Sequence, residues 1–186
     1  MKKIVMFNGS PRKQGGVSQI LHMIENGAVE KGAQVKVYDL NETGIRGCQG
    51  CMYCKKNNVT VCAQNDSLKP MYEDIQEADV IVTGSPIYMY HVASQLQTWI
   101  NRLYPLIDAN LNSLVKGKKL VTVYSQGSPV VDQFKGAMEH VKEFTTLMGW
   151  EEIERIISAG NNPGVCPSQV SEEILDKAYN TGKLIG

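Results

Sequence analysis

Residues 3–32 read KIVMFNGSPRKQGGVSQILHMIENGAVEKG, and this stretch decides the fold class of the chain. The apolar run of residues 3–7 stops at a turn sequence, which indicates a buried strand that enters a loop. Over residues 18–31 the apolar residues recur at helical spacing, with Ser18 where an N-cap belongs and Gly32 where a helix ends. The stretch therefore predicts a strand, a glycine-rich loop and an amphipathic helix.

The remainder of the chain repeats this alternation of strand and helix. Strands are predicted at residues 35–38, 79–83, 120–124 and 151–158, and helices at residues 68–78, 93–106, 131–148 and 170–185. Five strands separated by helices favour one parallel sheet with helices on both faces, joined by right-handed crossovers. The chain has 186 residues, the size of one domain, and we expect residues 1–186 to form a single domain.

The composition narrows the choice of partner and compartment. Lys plus Arg and Asp plus Glu both number 19, so no net charge attracts nucleic acid or an anionic membrane. No apolar run reaches the roughly 18 residues that span a bilayer. The apolar run within the first residues is too short for the hydrophobic region of a signal peptide. We expect a cytoplasmic protein without a nucleic-acid or membrane partner. Five cysteines, an odd number, argue against a disulfide framework.

The loops after the first, third and fourth strands are rich in Gly, Ser and Pro. In open parallel sheets ligands bind beyond the carboxyl ends of the strands, so these loops are expected to meet at one site. The first loop precedes a helix N-terminus, whose free N–H groups and positive dipole end suit a phosphate. Ser10 and Ser18 add hydroxyl donors, and Arg12 adds a charged donor. The alternative is a mobile surface loop with a helix cap.

These motifs carry a family resemblance. Gly9-Ser10-Pro11-Arg12 through Ser18, followed by Gly84-Ser85-Pro86-Ile87-Tyr88, resembles the NADPH-dependent FMN reductase branch of the flavodoxin-like superfamily. The resemblance spans residues 1 to about 130. It implies an α/β, flavodoxin-like three-layer sandwich whose five-stranded parallel sheet has the order 2-1-3-4-5.

The resemblance also implies bound FMN and places each part of it. The phosphate would lie in the first loop, at Ser10, Arg12 and Ser18. The ring would lie along the second loop and under the third, at Pro86, Ile87, Tyr88, Met89, Tyr90, Ser125, Gln126 and Gly127. Family members often carry two more side-chain donors where this chain has Gly16-Val17, so backbone N–H groups would do more here. For the tyrosines, half-buried packing at the sheet edge is the alternative.

The activity implied by the resemblance is NAD(P)H-dependent oxidoreduction. Hydride would pass from a nicotinamide to FMN and onward to a flavin, quinone or other small acceptor, with no catalytic acid or base required. A binding protein without redox function is a rival reading. We expect a homodimer or homotetramer with apolar contacts from residues 104–107. Trp99 is expected in the core, and Arg102 as a solvated charge or a dimer contact.

Four cysteines crowd into residues 48–62 and need their own explanation. Their spacing, Cys48-x2-Cys51-x2-Cys54-x7-Cys62, suits three corners and a distant fourth ligand of a [4Fe–4S] cluster. The stretch also appears in the resembling branch, most developed in its iron–sulfur flavoproteins, which implies an electron carrier with a ferredoxin-like partner. A packed loop without a cluster, a zinc site and redox thiols remain open. Asp66 or Ser67 is expected to cap the helix that follows.

Overall fold

The computed structural model describes residues 1–162 and 164–186. Its strands are β1 (Lys3–Asn8), β2 (Gln34–Asp39), β3 (Val80–Tyr88), β4 (His91–Val92), β5 (Lys119–Ser125) and β6 (Glu151–Ser158). Five of them are parallel and lie in the order β2-β1-β3-β5-β6, while the two-residue β4 pairs antiparallel with the end of β3. Counted without β4, this is the predicted order 2-1-3-4-5, which is confirmed.

Helices cover both faces of the sheet. They are α1 (Gly16–Glu30), α2 (Tyr53–Lys56), α3 (Lys69–Glu77), α4 (Ser94–Arg102), α5 (Lys135–Leu147) and α6 (Glu172–Ile185), with 3₁₀ turns at Tyr104–Leu106 and Val131–Phe134. Helices α1 and α6 close one core, and α3, α4 and α5 close the other. The three-layer sandwich is therefore confirmed. Among the described residues, no helix is both long and apolar enough to cross a bilayer.

Strand β1 shows why an apolar run forms the centre of this sheet. Successive side chains of a strand point to opposite faces, so Ile4 and Met6 enter the core under α1 while Val5 and Phe7 enter the other. All four are buried. A strand covered on both faces needs apolar residues at every position, which is why the run does not alternate with polar residues.

Two predicted boundaries at the loops are wrong. Helix α1 begins at Gly16 with Gly15 as its N-cap, so Ser18 is a helical residue and not the cap. Strand β3 does not stop at Gly84-Ser85-Pro86, because its pairing with β5 continues through Pro86 opposite Ser125. The proline lacks an N–H group, but its carbonyl oxygen still accepts a hydrogen bond from the Ala93 N–H at 3.1 Å.

Two surface assignments are also wrong. Arg102 is 1% exposed and is neither solvated nor available to a second subunit. Its Nη1 lies 2.7 Å from Asp66 Oδ2, so the charge is paired inside the protein. Residues 104–107 do not form an exposed apolar contact, since Pro105, Leu106 and Ile107 are buried. Trp99 lies in the core as expected.

Candidate functional site

A cavity of about 430 Å³ opens where the carboxyl ends of the strands meet. Its walls come from the loops after β1, β3, β5 and β6, as the topology of an open parallel sheet requires. Nine of the predicted site residues line it: Ser10, Arg12, Pro86, Ile87, Tyr88, Met89, Ser125, Gln126 and Gly127. The structure does not bring Ser18 or Tyr90 into the lining.

Two glycines hold the first and second loops together. The Gly9 N–H donates to the Gly84 carbonyl oxygen at 2.7 Å. A Cβ atom on Gly9 would lie only 2.9 Å from that oxygen, so a larger residue would push the two loops apart. The two backbones approach because Gly9 has no side chain, whereas a Cβ atom on Gly84 would instead meet Val17 and Leu21 of α1. This contact holds the first loop, the candidate for binding a phosphate, against the second loop, which is expected to face the ring.

The N-terminus of α1 forms one end of the cavity. Gly15 and Gly16 line it, and the first N–H groups of a helix have no partner within the helix. Ser10 and Arg12 stand beside them, and the Arg12 N–H donates to Ser10 Oγ at 3.2 Å. Arg12 Nη2 also donates to the Val165 carbonyl oxygen at 2.6 Å, which ties the segment after β6 to this loop. N–H, hydroxyl and guanidinium donors therefore converge where an anion would bind.

Ser18 shapes this loop from outside the cavity. Its hydroxyl donates to the Arg12 carbonyl oxygen at 2.9 Å and accepts from Asn8 Nδ2 at 3.0 Å. The same Asn8 amide donates to Asp39 Oδ1 at 2.7 Å, and Asn8 Oδ1 accepts from the Ser10 N–H at 3.0 Å. Asn8 thus connects strand β1, strand β2 and helix α1 below the loop. The hydrogen bonds of Ser18 and Asn8 hold the loop in one conformation.

The opposite wall of the cavity is a hairpin with an exposed tip. Met89 and Tyr90 are the two turn residues between β3 and β4, and both have positive φ, 47° and 66°. That geometry defines a type I′ turn, which usually contains Asn or Gly because a Cβ atom is unfavourable there. Tyr88 and Met89 border the cavity, whereas the Tyr90 ring packs edge-on against Phe134 with centroids 5.0 Å apart. A flat apolar group can lie against this wall.

Sequence reasoning missed the contribution of the loop after β6. Asn161, Asn162 and Ser168 line the cavity as well. Asn161 Nδ2 donates to the Ser158 carbonyl oxygen at 2.7 Å, and its backbone N–H donates to the Gln126 carbonyl oxygen at 3.0 Å. Since β6 ends at the same edge as the other strands, the two asparagines that follow it were the available signal.

The composition of the cavity suits a molecule with an anionic end and a flat apolar end. Donors cluster at the N-terminus of α1, and Pro86, Ile87, Tyr88 and Met89 form the apolar wall. Ser125 and Gly127 of the third loop also line the cavity, and neither has a bulky side chain that would fill it. The residues present therefore fit a flavin mononucleotide, whose phosphate and ring have these properties.

The four clustered cysteines line a second, smaller pocket at the C-terminal end of α4. Cys48, Cys51, Cys54 and Cys62 share it with Arg102 and Tyr104. The thiols are free; Cys48 and Cys51 are exposed, and Cys54 and Cys62 are half-buried. Across residues 1–162 and 164–186, however, no three Cys, His, Asp or Glu side chains are placed to hold a metal ion. The structure therefore groups the thiols without showing a ligand geometry.

Comparison with solved structures supports the fold. An NAD(P)H:quinone oxidoreductase from Methanothermobacter marburgensis superimposes with a TM-score of 0.76 over 100% of both chains at 18% identity. A flavodoxin from the domain Archaea gives a TM-score of 0.58 over 100% of this chain and 96% of that chain at 14% identity. At these identities the likeness shows the flavodoxin-like fold alone.

Comparison with known sequences shows the family. An iron-sulfur flavoprotein of Archaeoglobus fulgidus is 28% identical over 98% of this chain and 78% of its own length. An iron-sulfur flavoprotein of Methanocaldococcus jannaschii is 32% identical over 58% of this chain, which spans about half, 54%, of that relative. The model of the NADPH-dependent FMN reductase family matches residues 2–159. The chain therefore belongs to the NADPH-dependent FMN reductase family and is an FMN-containing oxidoreductase with a flavodoxin-like fold.

Proposed function

We propose that the protein takes reducing equivalents from NAD(P)H and passes them through bound FMN to a flavin, a quinone or another small acceptor. The observation that carries this proposal is the cavity at the carboxyl edge, which is bordered at one end by the N-terminus of α1 and on another side by an apolar wall. An FMN-dependent NADH:quinone oxidoreductase of Rhizobium meliloti, 28% identical over 63% of this chain and 62% of its own length, supports the same activity.

Each part of the cavity has one role in this proposal. Ser10, Arg12 and the N-terminus of α1 bind the phosphate by hydrogen bonds and charge. The wall of Pro86–Met89 and the third loop, residues 125–127, hold the ring and exclude water from its face. Ser18 and Tyr90 act indirectly, because neither lines the cavity: Ser18 holds the first loop and Tyr90 contacts Phe134. Bound FMN itself supplies the hydride and single-electron chemistry, so the chain needs no general acid or base.

Cofactor binding is tested first, by the visible spectrum of the purified protein and by identifying the flavin that heat releases. Titrations with FMN and riboflavin then isolate the phosphate contribution. We expect Arg12→Ala to weaken FMN binding by roughly tenfold, the worth of one charged hydrogen bond, and to leave riboflavin binding nearly unchanged. Arg46→Ala, an exposed arginine outside the cavity, is the matched control. A colourless protein that takes up no FMN would contradict the proposal.

The donor and acceptor are tested by steady-state oxidation of NADH and of NADPH. Free FMN and a quinone such as menadione serve as acceptors, each in the absence of any protein partner. Turnover with either small acceptor supports the proposal. A protein that binds FMN but whose spectrum neither nucleotide bleaches would instead be a flavin-binding protein or a carrier that depends on a partner.

An alternative function follows from the cysteine pocket. We propose as this alternative an electron carrier with a [4Fe–4S] cluster on Cys48, Cys51, Cys54 and Cys62 and a ferredoxin-like partner. Two observations support it: all four thiols line one pocket, and several relatives carry the name iron-sulfur flavoprotein. Iron and sulfide analysis of anaerobically purified protein tests it, with about four iron atoms per chain expected for a cubane. Iron-free protein that turns over NADPH without a partner rejects it.

We also propose that residues 1–186 act as one domain in a homodimer or homotetramer. The tip of the β3–β4 hairpin exposes Met89 and Tyr90 by 92% and 65%, beside the mouth of the cavity. Apolar groups so exposed are often covered in an assembly, and covering them would shield a ring in the cavity from water. Light scattering coupled to size exclusion measures the mass, and Met89→Lys is expected to shift it towards the monomer.

A further inference from the structure

Arg102 joins the two ends of the cysteine-bearing loop, residues 46–66. Its Nη1 donates to the Arg46 carbonyl oxygen at 2.8 Å, just before the first cysteine. Nη1 and Nη2 donate to Asp66 Oδ2 at 2.7 Å and Oδ1 at 3.2 Å, just after the last cysteine. The carbonyl oxygen of Arg102 accepts from the Tyr72 hydroxyl at 2.7 Å, which anchors it to α3. One buried side chain therefore closes the loop that carries all four thiols.

The Nε–H group of Arg102 makes none of these hydrogen bonds. Its Nε is buried and has no hydrogen-bond partner within the described part of the chain, and Gln64 Oε1, on the same pocket, also lacks one. A buried N–H without an acceptor costs roughly 1–3 kcal/mol, so such a group is seldom left unpaired without a reason. Sulfur accepts hydrogen bonds, and four sulfur atoms line the pocket that Arg102 borders.

Two cations lie at or near this pocket. Arg102 lines it, while Lys55, which follows Cys54 in the chain, lies beyond the lining residue Tyr104: Lys55 Nζ donates to the carbonyl oxygens of Tyr104 and Ile107 and lies over the Tyr104 ring. Asp66 is the facing acid, and both its oxygens are already engaged by Arg102. Thiolates, alone or bound to a metal, bring negative charge that a buried guanidinium can balance.

We propose that Arg102 is the positioning residue of the thiol pocket: it holds the loop closed and offers an N–H and a positive charge to a thiolate or metal–thiolate group bound there. The inference deepens the alternative function above, on which any redox consequence rests. The positioning role itself requires neither FMN nor an iron–sulfur cluster. It is also separate from the cavity that binds FMN, since Arg102 does not line that cavity.

The test compares Arg102→Lys and Arg102→Met with wild type in the full chain. Arg155→Met is the matched control, because Arg155 on β6 also pairs with two acids, Glu139 and Glu152, and does not line the thiol pocket. Alkylation by iodoacetamide at one pH, followed by mass spectrometry of each cysteine peptide, reports opening of the loop. We expect Cys54 and Cys62 to react roughly tenfold faster in both Arg102 variants, the effect of losing one hydrogen bond to a charged group.

Titration with Co²⁺ under reducing conditions measures how much the charge of Arg102 contributes to binding a metal–thiolate group. Co²⁺–thiolate charge-transfer bands report ligation by the thiolates. We expect wild type to bind Co²⁺ most tightly, Arg102→Lys less tightly and Arg102→Met least, while Arg155→Met matches wild type. A role confined to stability would change melting temperature without this ranking. Co²⁺ binding that is equal in Arg102→Met and wild type overturns the proposal, as does unchanged alkylation of Cys54 and Cys62.

Two further measurements keep failure interpretable. If Arg102→Met does not fold, Asp66→Asn removes the same ion pair while leaving the guanidinium, and we expect faster alkylation of Cys54 and Cys62 with only a small loss of Co²⁺ affinity. Equal losses in Asp66→Asn and Arg102→Lys would reject the charge contribution. FMN content, measured in every variant, separates this inference from the proposed activity. A protein that lacks FMN but keeps the thiol pocket intact would reject the proposed FMN-dependent activity and leave the role of Arg102 standing.

Discussion

Gly27 of α1 and Gly182 of α6 bring their two helices into direct backbone contact. A Cβ atom on Gly27 would collide with the Tyr179 carbonyl oxygen, and one on Gly182 would collide with the Ile24 carbonyl oxygen. The two helices can therefore lie this close only because both positions are glycine. The contact holds α6, and with it the preceding segment that carries Ser168, against the helix whose N-terminus forms the anion end of the cavity.

Replacing Gly27 by alanine is expected to destabilise the protein. The added methyl group meets backbone atoms that cannot rotate away, so the helices must separate, at a cost of about 1–3 kcal/mol in the free energy of unfolding. Urea unfolding followed by circular dichroism measures it. Gly136→Ala in α5 is the control: nothing lies within 4 Å of its Cβ position, so it is expected to gain up to about 1 kcal/mol. Equal effects of the two variants would refute this account.

The alternation of apolar runs and helical spacing was enough to predict the sheet, because each strand and its neighbouring helix are local features of the chain. The same logic located the cavity at the carboxyl edge. Arg102 shows the first limit of this reasoning. Its position on the helix predicted a surface residue, whereas its burial depends on a partner 36 residues away, Asp66. Ser18 shows the second limit, since the helix begins before it, at Gly16, and the Ser18 hydroxyl instead bonds Asn8 and the Arg12 carbonyl oxygen, contacts that the local sequence does not reveal.

Replacing Met89 by glycine should raise stability and weaken cofactor binding. Its φ of 47° is unfavourable for a residue with a Cβ atom, so Met89→Gly is expected to raise the free energy of unfolding by about 1 kcal/mol. Met89→Val, which is branched at Cβ, should lower it. The glycine variant also loses a side chain that lines the cavity, so FMN affinity should fall a few-fold.

Chemical denaturation and FMN titration of the same samples check the Met89 prediction. Leu184→Gly in α6 is the matched control, because Leu184 is also an exposed apolar residue but is helical, and glycine there should lower stability by about 1 kcal/mol. If Met89→Gly is destabilising to the same extent, the turn geometry stores no strain.

Asn8 is expected to control FMN affinity without touching the cofactor. Asn8→Ala removes its hydrogen bonds to Ser10, Ser18 and Asp39 and frees the first loop, which must then be ordered when FMN binds. Each neutral hydrogen bond contributes about 1 kcal/mol, so we expect at least a tenfold rise in the FMN dissociation constant. Fluorescence quenching measures it, with Asn112→Ala, an exposed amide outside the cavity, as control. A variant that is less stable but binds FMN normally would confine Asn8 to a structural role.

The Asp66–Arg102 pair should make stability depend on pH on the acidic side. Burial alone raises the pKa of Asp66, but hydrogen bonds from Arg102 and from the Leu68 N–H outweigh it, so the pKa is lowered on folding. A carboxyl group whose pKa is lowered stabilises the fold at pH values above its unfolded pKa of about 3.9, and this contribution disappears as pH falls through the folded pKa. Wild type should therefore exceed Asp66→Asn in unfolding free energy most at pH 7, and the difference should shrink below about pH 4. Urea unfolding of both proteins between pH 7 and pH 3 measures this difference, and a difference that stays constant over that range would mean that Asp66 does not contribute to stability through its charge.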